Sequence, residues 1–401
     1  MTVSEASSIS VLFDQEWSGK PYELYALLQA EHAIMWDDIM RSWIVLRHSQ
    51  ITELAKDARL SGARIDDFHR QLPPESRATM APLAAILKDM MLFNEGPAHS
   101  RLRKLIRPNL SPRFIRDLRT MIEKLADALL DQVVPTGEMD VVRDFSEPLT
   151  RGVIAMIAGV PSHAAHLLEN WPGLLHEFFS QSPDELPRLA ALRAAFDETA
   201  DLRQAGAGDD LFTQMIAEQL GRDSYTADEV FANFLLLIDA GQATTTHLIG
   251  NAALALLHHR EQADLLRQRP EVAANAAHEF MRYDSSVQFT TRVALADIEL
   301  DDVRIRQGDT VTLLLGAGNR DPRRYADPGR LDLTRKASDH LSFGHGIHYC
   351  LGASLALAEI EIAMQRLVRR TWNWRLAQSE INWLDSINFR FLTGLRIRFD
   401  H

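Results

Sequence analysis

The chain has 401 residues, 46% of them hydrophobic, and a formal net charge of −12. Such an acidic balance argues against a general nucleic-acid binder, which carries a basic face, while the apolar fraction is enough to bury a sizeable core. The single cysteine rules out an internal disulfide and fits a reducing cytoplasm.

The polar first 14 residues have no secretory h-region, and no run of about 18 apolar residues occurs, so no membrane segment is expected. No Pro/Ser-rich linker, repeat or low-complexity tract divides the chain, and the glycine-rich stretch Ala205-Gly206-Ala207-Gly208 reads as an interhelical loop. The expectation is a single domain, 1–401, mainly α with a minor β region. In chain order, residues 22–31 read as a short helix and 42–46 as a strand. Phe114, Leu118, Met121 and Leu125 fall three or four apart and predict a helix over 114–130. Residues 141–200 stay helical, interrupted at Pro161, Pro172 and Pro183. Thr226, with Glu229 three residues on, is a capping box. The apolar run after it extends to about His259, a rod of roughly 50 Å at about 1.5 Å per residue, apolar on most faces and so central and buried. Gly241 and Thr244, Thr245 and Thr246 near its middle are poor helix formers that packing alone would not choose. A further helix ends near Tyr283. Strand-like runs follow at 298–305 and 310–315, then a helix over 351–368 and a terminal hairpin over 389–399.

The segment Phe343-Gly344-His345-Gly346-Ile347-His348-Tyr349-Cys350-Leu351-Gly352 carries the most chemistry. A cysteine at the mouth of a helix is biased toward thiolate by the partial positive charge there. Glycines at 344, 346 and 352 let backbone turn tightly and approach a flat ligand. On the residues alone a structural cysteine, a zinc site with His345 and His348, and a catalytic nucleophile all stay open. The segment resembles the haem-binding signature of cytochromes P450, Phe-x-x-Gly-x-x-x-Cys-x-Gly, at Phe343, Gly346, Cys350 and Gly352. Further motifs lie in the same order as in that family. Glu279 and Arg282 resemble its Glu-x-x-Arg pair, Arg330 the later arginine of that buried network, and His99 and Arg103 its His-x-x-x-Arg pattern.

The resemblance covers nearly the whole chain and implies the cytochrome P450 fold with haem b. Cys350 would be the iron's thiolate ligand, and His99, Arg103, Arg292 and His348 would hold the propionates, which need cationic or hydrogen-bonding partners when buried. The activity implied is monooxygenation of a small hydrophobic, natural-product-like substrate, free or carrier-tethered. Electrons would come from ferredoxin and its reductase, or from flavodoxin, because the chain has no flavin or iron–sulfur domain. Arg101, Lys104 and Arg107 form a local basic patch suited to an acidic donor. Oxidative coupling is the alternative reaction, and a non-catalytic haem sensor or electron carrier the alternative class. The resemblance places Ala240, Gly241 and Thr244 beside the dioxygen site, with Thr244 hydrogen-bonding the oxygen and helping deliver protons. Leu92, Leu236, Asp239, Gln288, Phe289 and Phe389 would touch substrate.

One departure stands out. The acid that precedes the threonine in the family is Ala243 here, and Asp239 lies one helical turn earlier. Asp239 could anchor a basic or hydroxyl-bearing substrate group, replace the missing relay acid, or pair with another side chain.

Overall fold

The computed structural model describes residues 8–110, 112–159, 165–168, 174–175, 178, 181, 183–184, 186–204, 210–222 and 225–401. Pro161, Pro172 and the glycine-rich stretch 205–208 lie outside the described residues. The chain divides into two compact units. One comprises Met1–Ser61, Pro112–Thr150 and Ala243–His401, the other Gly62–Ser111 and Arg151–Gln242.

The first unit holds the strands. Its main sheet runs in the order β1 (Ile34–Asp37), β2 (Ser42–Val45), β8 (Thr310–Leu313), β5 (Thr290–Ala294), β3 (Leu60–Ser61). β2 and β8 pair in parallel, Ser42 opposite Thr310, and the other pairs are antiparallel. One face is a closed apolar layer of Val45, Ile51, Leu54, Val311 and Leu313. The run 298–305 is a hairpin rather than one strand: β6 (Ile298–Leu300) returns as β7 (Val303–Ile305), and Asp301 takes the left-handed conformation at φ 50° that its tight turn demands. The terminal segment does not fold on itself either. β10 (Arg396–Asp400) lies between β4 (Glu138–Asp140) and β9 (Trp372–Leu376), and Phe389 bridges to Val287. The helix Ala353–Arg370 packs along Pro112–Val133, where Arg119 forks onto both Glu361 oxygens at 2.6 and 3.1 Å.

The second unit is helical and built round aromatic rings. Phe196 on the helix Leu186–Gln204 meets Phe212 on Leu211–Arg222, and also Phe231 and Phe234, at centroid separations of 4.8 to 5.6 Å. Asn233 accepts from the Met91 N–H at 2.8 Å and donates to the Asp89 carbonyl at 2.8 Å, fixing the turn that leads into the helix Gly96–Ile106.

The 32-residue helix Ala227–His258 begins where the capping box places it. The Thr226 N–H donates to Glu229 Oε2 at 3.0 Å and the Glu229 N–H to Thr226 Oγ1 at 3.1 Å. Its residues through Gln242 belong to the second unit and those from Ala243 to the first. Among the described residues no helix is long and apolar enough to cross a membrane.

Candidate active site

Backbone geometry, more than side-chain contacts, shapes the cysteine loop. Gly344 and Gly346 have φ of +67° and +72°. A Cβ on Gly346 would stand 2.3 Å from the Ala55 carbonyl oxygen, a contact no side chain tolerates. The Cys350 N–H closes the loop on the Phe343 carbonyl at 2.9 Å. The Phe343 ring is buried between His340 and Tyr349. Cys350 itself is exposed, three residues before the helix that starts at Ala353 with Gly352 as its N-cap. Burial and the adjacent Cys350 sulfur both push the Tyr349 phenol up. His348 sits half-buried in the same loop. Among the described residues no group of three or more His, Cys, Asp or Glu could hold a metal ion.

The middle of the long helix is the second feature. Leu235, Ile238, Thr245 and Leu248 are buried, whereas Ala240 is exposed and Asp239, Ala243, Thr244 and His247 are half-buried. Leu237, Gly241 and Gln242 are half-buried too, so the accessible stripe takes in the whole of 239–244 on an otherwise enclosed rod. Gly241 is half-buried among these residues, and a Cβ there would point at Ile154 Cδ1, 2.5 Å away, so the close approach of the helix Glu147–Ala158 favours glycine at this position. Asp239 accepts the Leu175 backbone N–H, and burial pushes its carboxyl up to about 7.

His247 was not singled out by the sequence. It lies three residues past Thr244 on the same stripe, and its ring stacks on Phe391 at 4.1 Å and 15°. Phe391 stacks in turn on Phe389. The imidazole is bonded to the Leu392 backbone, burial holds it down at about 4, and Nδ1 is buried without a hydrogen-bond partner. Its spacing from Thr244 was the available signal.

Glu279 and Arg282 form a fully buried pair. Arg282 Nε donates to Oε2 at 2.7 Å and Nη2 to Oε1 at 2.8 Å, while Nη1 reaches the Asn319 and Pro328 carbonyls. The third arginine is Arg335, not Arg330: Arg335 Nε donates to Glu279 Oε1 at 3.3 Å. Arg330 is exposed and contributes its backbone carbonyl to Arg282 at 3.2 Å. The chain turns at Asp327, φ 47°, and carries the Arg330 side chain outward.

The remaining residues fall as follows. His99 is buried and Arg103 half-buried on the helix Gly96–Ile106 of the second unit. In the first unit Arg292 is buried on β5, its Nη1 donating to Thr290 Oγ1 at 2.7 Å and the Thr291 carbonyl at 2.9 Å. Leu92 is half-buried and Leu236 buried. Phe289 packs on the cluster around Tyr25 and Leu314. Gln288 departs from expectation: its amide donates to the Ser285 carbonyl at 2.6 Å and to Tyr22 at 3.2 Å, so its side chain serves a buried polar cluster instead of a ligand surface. In that cluster Asp284 Oδ1 accepts from Tyr22 at 2.9 Å and from Arg390 Nε at 2.8 Å.

A family model described as Cytochrome P450 matches residues 197–382. The Biotin biosynthesis cytochrome P450 of Bacillus subtilis (strain 168) is 36% identical over 409 aligned positions that cover all of both chains. Among solved structures, P450BioI in complex with acyl carrier protein ligated to hexadec-9Z-enoic acid superposes with a TM-score of 0.87 at 35% identity, covering 96% of this chain and 100% of that one. CxnD, an enzyme for C–S bond formation in chuangxinmycin biosynthesis, superposes at 0.84 with 31% identity, covering 97% and 96%.

Proposed function

Given that the chain belongs to the cytochrome P450 family, and is therefore an oxidoreductase, we propose that it inserts one oxygen atom from dioxygen into a hydrophobic, natural-product-like substrate. The observation that carries this reading is the accessible stripe at Ala240 and Thr244 on an otherwise enclosed helix. An electron carrier has no use for such an opening. Haem b, when bound, supplies the activation of dioxygen, and a thiolate donor favours O–O cleavage. The chain's own residues hold and orient. Cys350 Sγ would be the single protein ligand, and Phe343 and Gly352 shape its loop. His99, Arg103, Arg292 and His348 would hold the propionates. Thr244 Oγ1 would hydrogen-bond dioxygen and hold a proton for it, while Ala243 carries no acid, so that proton would come from water or substrate. Leu92, Leu236, Asp239, Phe289 and Phe389 touch substrate. The two units work as one catalytic domain in the cytoplasm, with electrons arriving from ferredoxin and its reductase or from flavodoxin.

A substrate tethered to a carrier protein is supported by the likeness to a structure solved with an acylated carrier. Spin-state titration with free acyl chains and with the same chains on a carrier tests it; equal affinity for both removes the carrier. Oxidative coupling is the second reading, supported by the missing acid at Ala243 and the likeness to a C–S bond-forming enzyme. Isotope-labelled dioxygen separates the two, because insertion leaves label in the product and coupling does not.

A further inference from the structure

Asp239 differs from every other group on the accessible stripe in being a carboxylate on an apolar wall. The residues just before it in the helix, Leu235, Leu236 and Ile238, are buried, and the next one, Ala240, is exposed. The carboxyl accepts one hydrogen bond, from the Leu175 N–H. Two carboxylate oxygens offer about four lone-pair sites, so most of their capacity is unused. Among the described residues, no Lys, Arg or His lies within ion-pair distance of Asp239, in contrast to Glu229 one flank of the helix away, which is paired with Arg101. Leaving a carboxylate short of partners at a half-buried site costs free energy that an arriving partner recovers.

We infer that Asp239 is a cation-recognition group, and that the substrate is a hydrophobic molecule bearing an ammonium-type positive charge. This rests on the chain's being a haem-thiolate oxygenase with substrate over the stripe. A cation is the partner that uses the free lone pairs and favours the ionised carboxylate together, whereas a neutral hydroxyl does only the first. The hydrophobic remainder of the substrate lies along Leu236 and its apolar neighbours, and the charged end specifies orientation. Selectivity arises because a substrate without the cation leaves the carboxylate unpaired under its own apolar body.

The test compares two probes of one shape: octyltrimethylammonium and its tert-butyl analogue, in which carbon replaces nitrogen. A quaternary ammonium cannot ligate iron, so only the cavity is read. Affinities for the haem-loaded protein are measured by equilibrium dialysis for wild type, Asp239→Asn and Asp239→Glu. The expected result is a loss of about tenfold for the cation in Asp239→Asn (roughly 1.4 kcal/mol), recovery in Asp239→Glu, and no change beyond about twofold for the tert-butyl probe. Equal effects on both probes, or none on either, overturn the inference. If Asp239→Asn fails to fold, wild type alone decides: tighter binding of the tert-butyl probe overturns the inference. The ferrous–CO spectrum of each preparation is recorded first. Loss of its thiolate signature in wild type sinks the oxygenase reading, whereas an intact signature without cation preference sinks only the role of Asp239.

Discussion

Glu279→Gln removes one charge from a cluster in which no atom of either Glu279 or Arg282 reaches solvent. In the native chain Arg282 directs Nε and Nη2 at the two carboxylate oxygens and Nη1 at the Asn319 and Pro328 carbonyls. The glutamine keeps the volume but offers one acceptor where there were two, and turns an NH2 toward a guanidinium. Arg282 is then a buried cation with only dipoles around it. Breaking a buried pair by neutralising one partner costs about 3–5 kcal/mol, a large part of the roughly 5–15 kcal/mol that holds a domain together. Arg335→Ala removes a longer bond to Glu279, at 3.3 Å, together with its anchorage to the Ala326 carbonyl at 2.7 Å. About 1–3 kcal/mol is expected for that loss. Arg330→Ala removes an exposed side chain and should cost less than about 1 kcal/mol. Urea unfolding followed by tryptophan fluorescence, with haem retention read in parallel, ranks the three. Glu279→Gln within about 1 kcal/mol of wild type, or Arg330→Ala as costly as Arg335→Ala, would refute this reading of the cluster.

Gly346→Ala forces a Cβ to within 2.3 Å of the Ala55 carbonyl at a φ of +72°. The left-handed backbone alone costs about 1–2 kcal/mol, so the variant should lose haem at temperatures the wild type withstands; unchanged haem retention counts against the loop geometry. Gly241→Ala, by contrast, meets only the movable end of Ile154, and thermal unfolding should fall by a few degrees at most. His247→Phe keeps the stack on Phe391, deletes the unpartnered Nδ1 and also removes the bond to the Leu392 backbone; the two changes oppose each other at about 1–3 kcal/mol each, so calorimetry should place the variant within about 1 kcal/mol of wild type. The Asp239 carboxyl titrates at about 7 in the fold against an ordinary 3.8. The folded state therefore holds its proton longer, and stability from this group is lost as pH rises from about 4 to 7. Asp239→Asn should flatten that part of the stability–pH curve, measured by unfolding at a series of pH values.

The long helix was legible to within a residue or two because its start is chemical: Thr226 and Glu229 satisfy each other's backbone donors, a purely local bargain. The cysteine loop was legible for a related reason. The positive φ values at Gly344 and Gly346 require glycine wherever the rest of the chain lies. Features that depend on distant partners were not. β1 and β5 are short, four and five residues, so their own residues give weak alternation, and β5 gains part of its hydrogen bonding from β3, more than 220 residues upstream. The closing segment contains a strand, but its partners are β4 and β9, more than 250 residues upstream and some 20 residues upstream of it. Arg330 and Arg335 are both arginines at plausible spacing, and only the turn at Asp327 decides which one faces Glu279. Asp239 could be recognised as anomalous, yet its amide partner, Leu175, is 64 residues away.

The central claim is that Cys350 alone among the chain's side chains binds the iron, through its sulfur. The most direct measurement is the ferrous–CO spectrum of the purified wild type beside Cys350→Ser and Cys350→His. Wild type should show the red-shifted Soret band of a thiolate-ligated haem, and both variants should lose it, the histidine variant moving to the band of an imidazole-ligated haem. A red-shifted band that persists in Cys350→Ser would contradict the account, because no second cysteine exists in the chain to supply it.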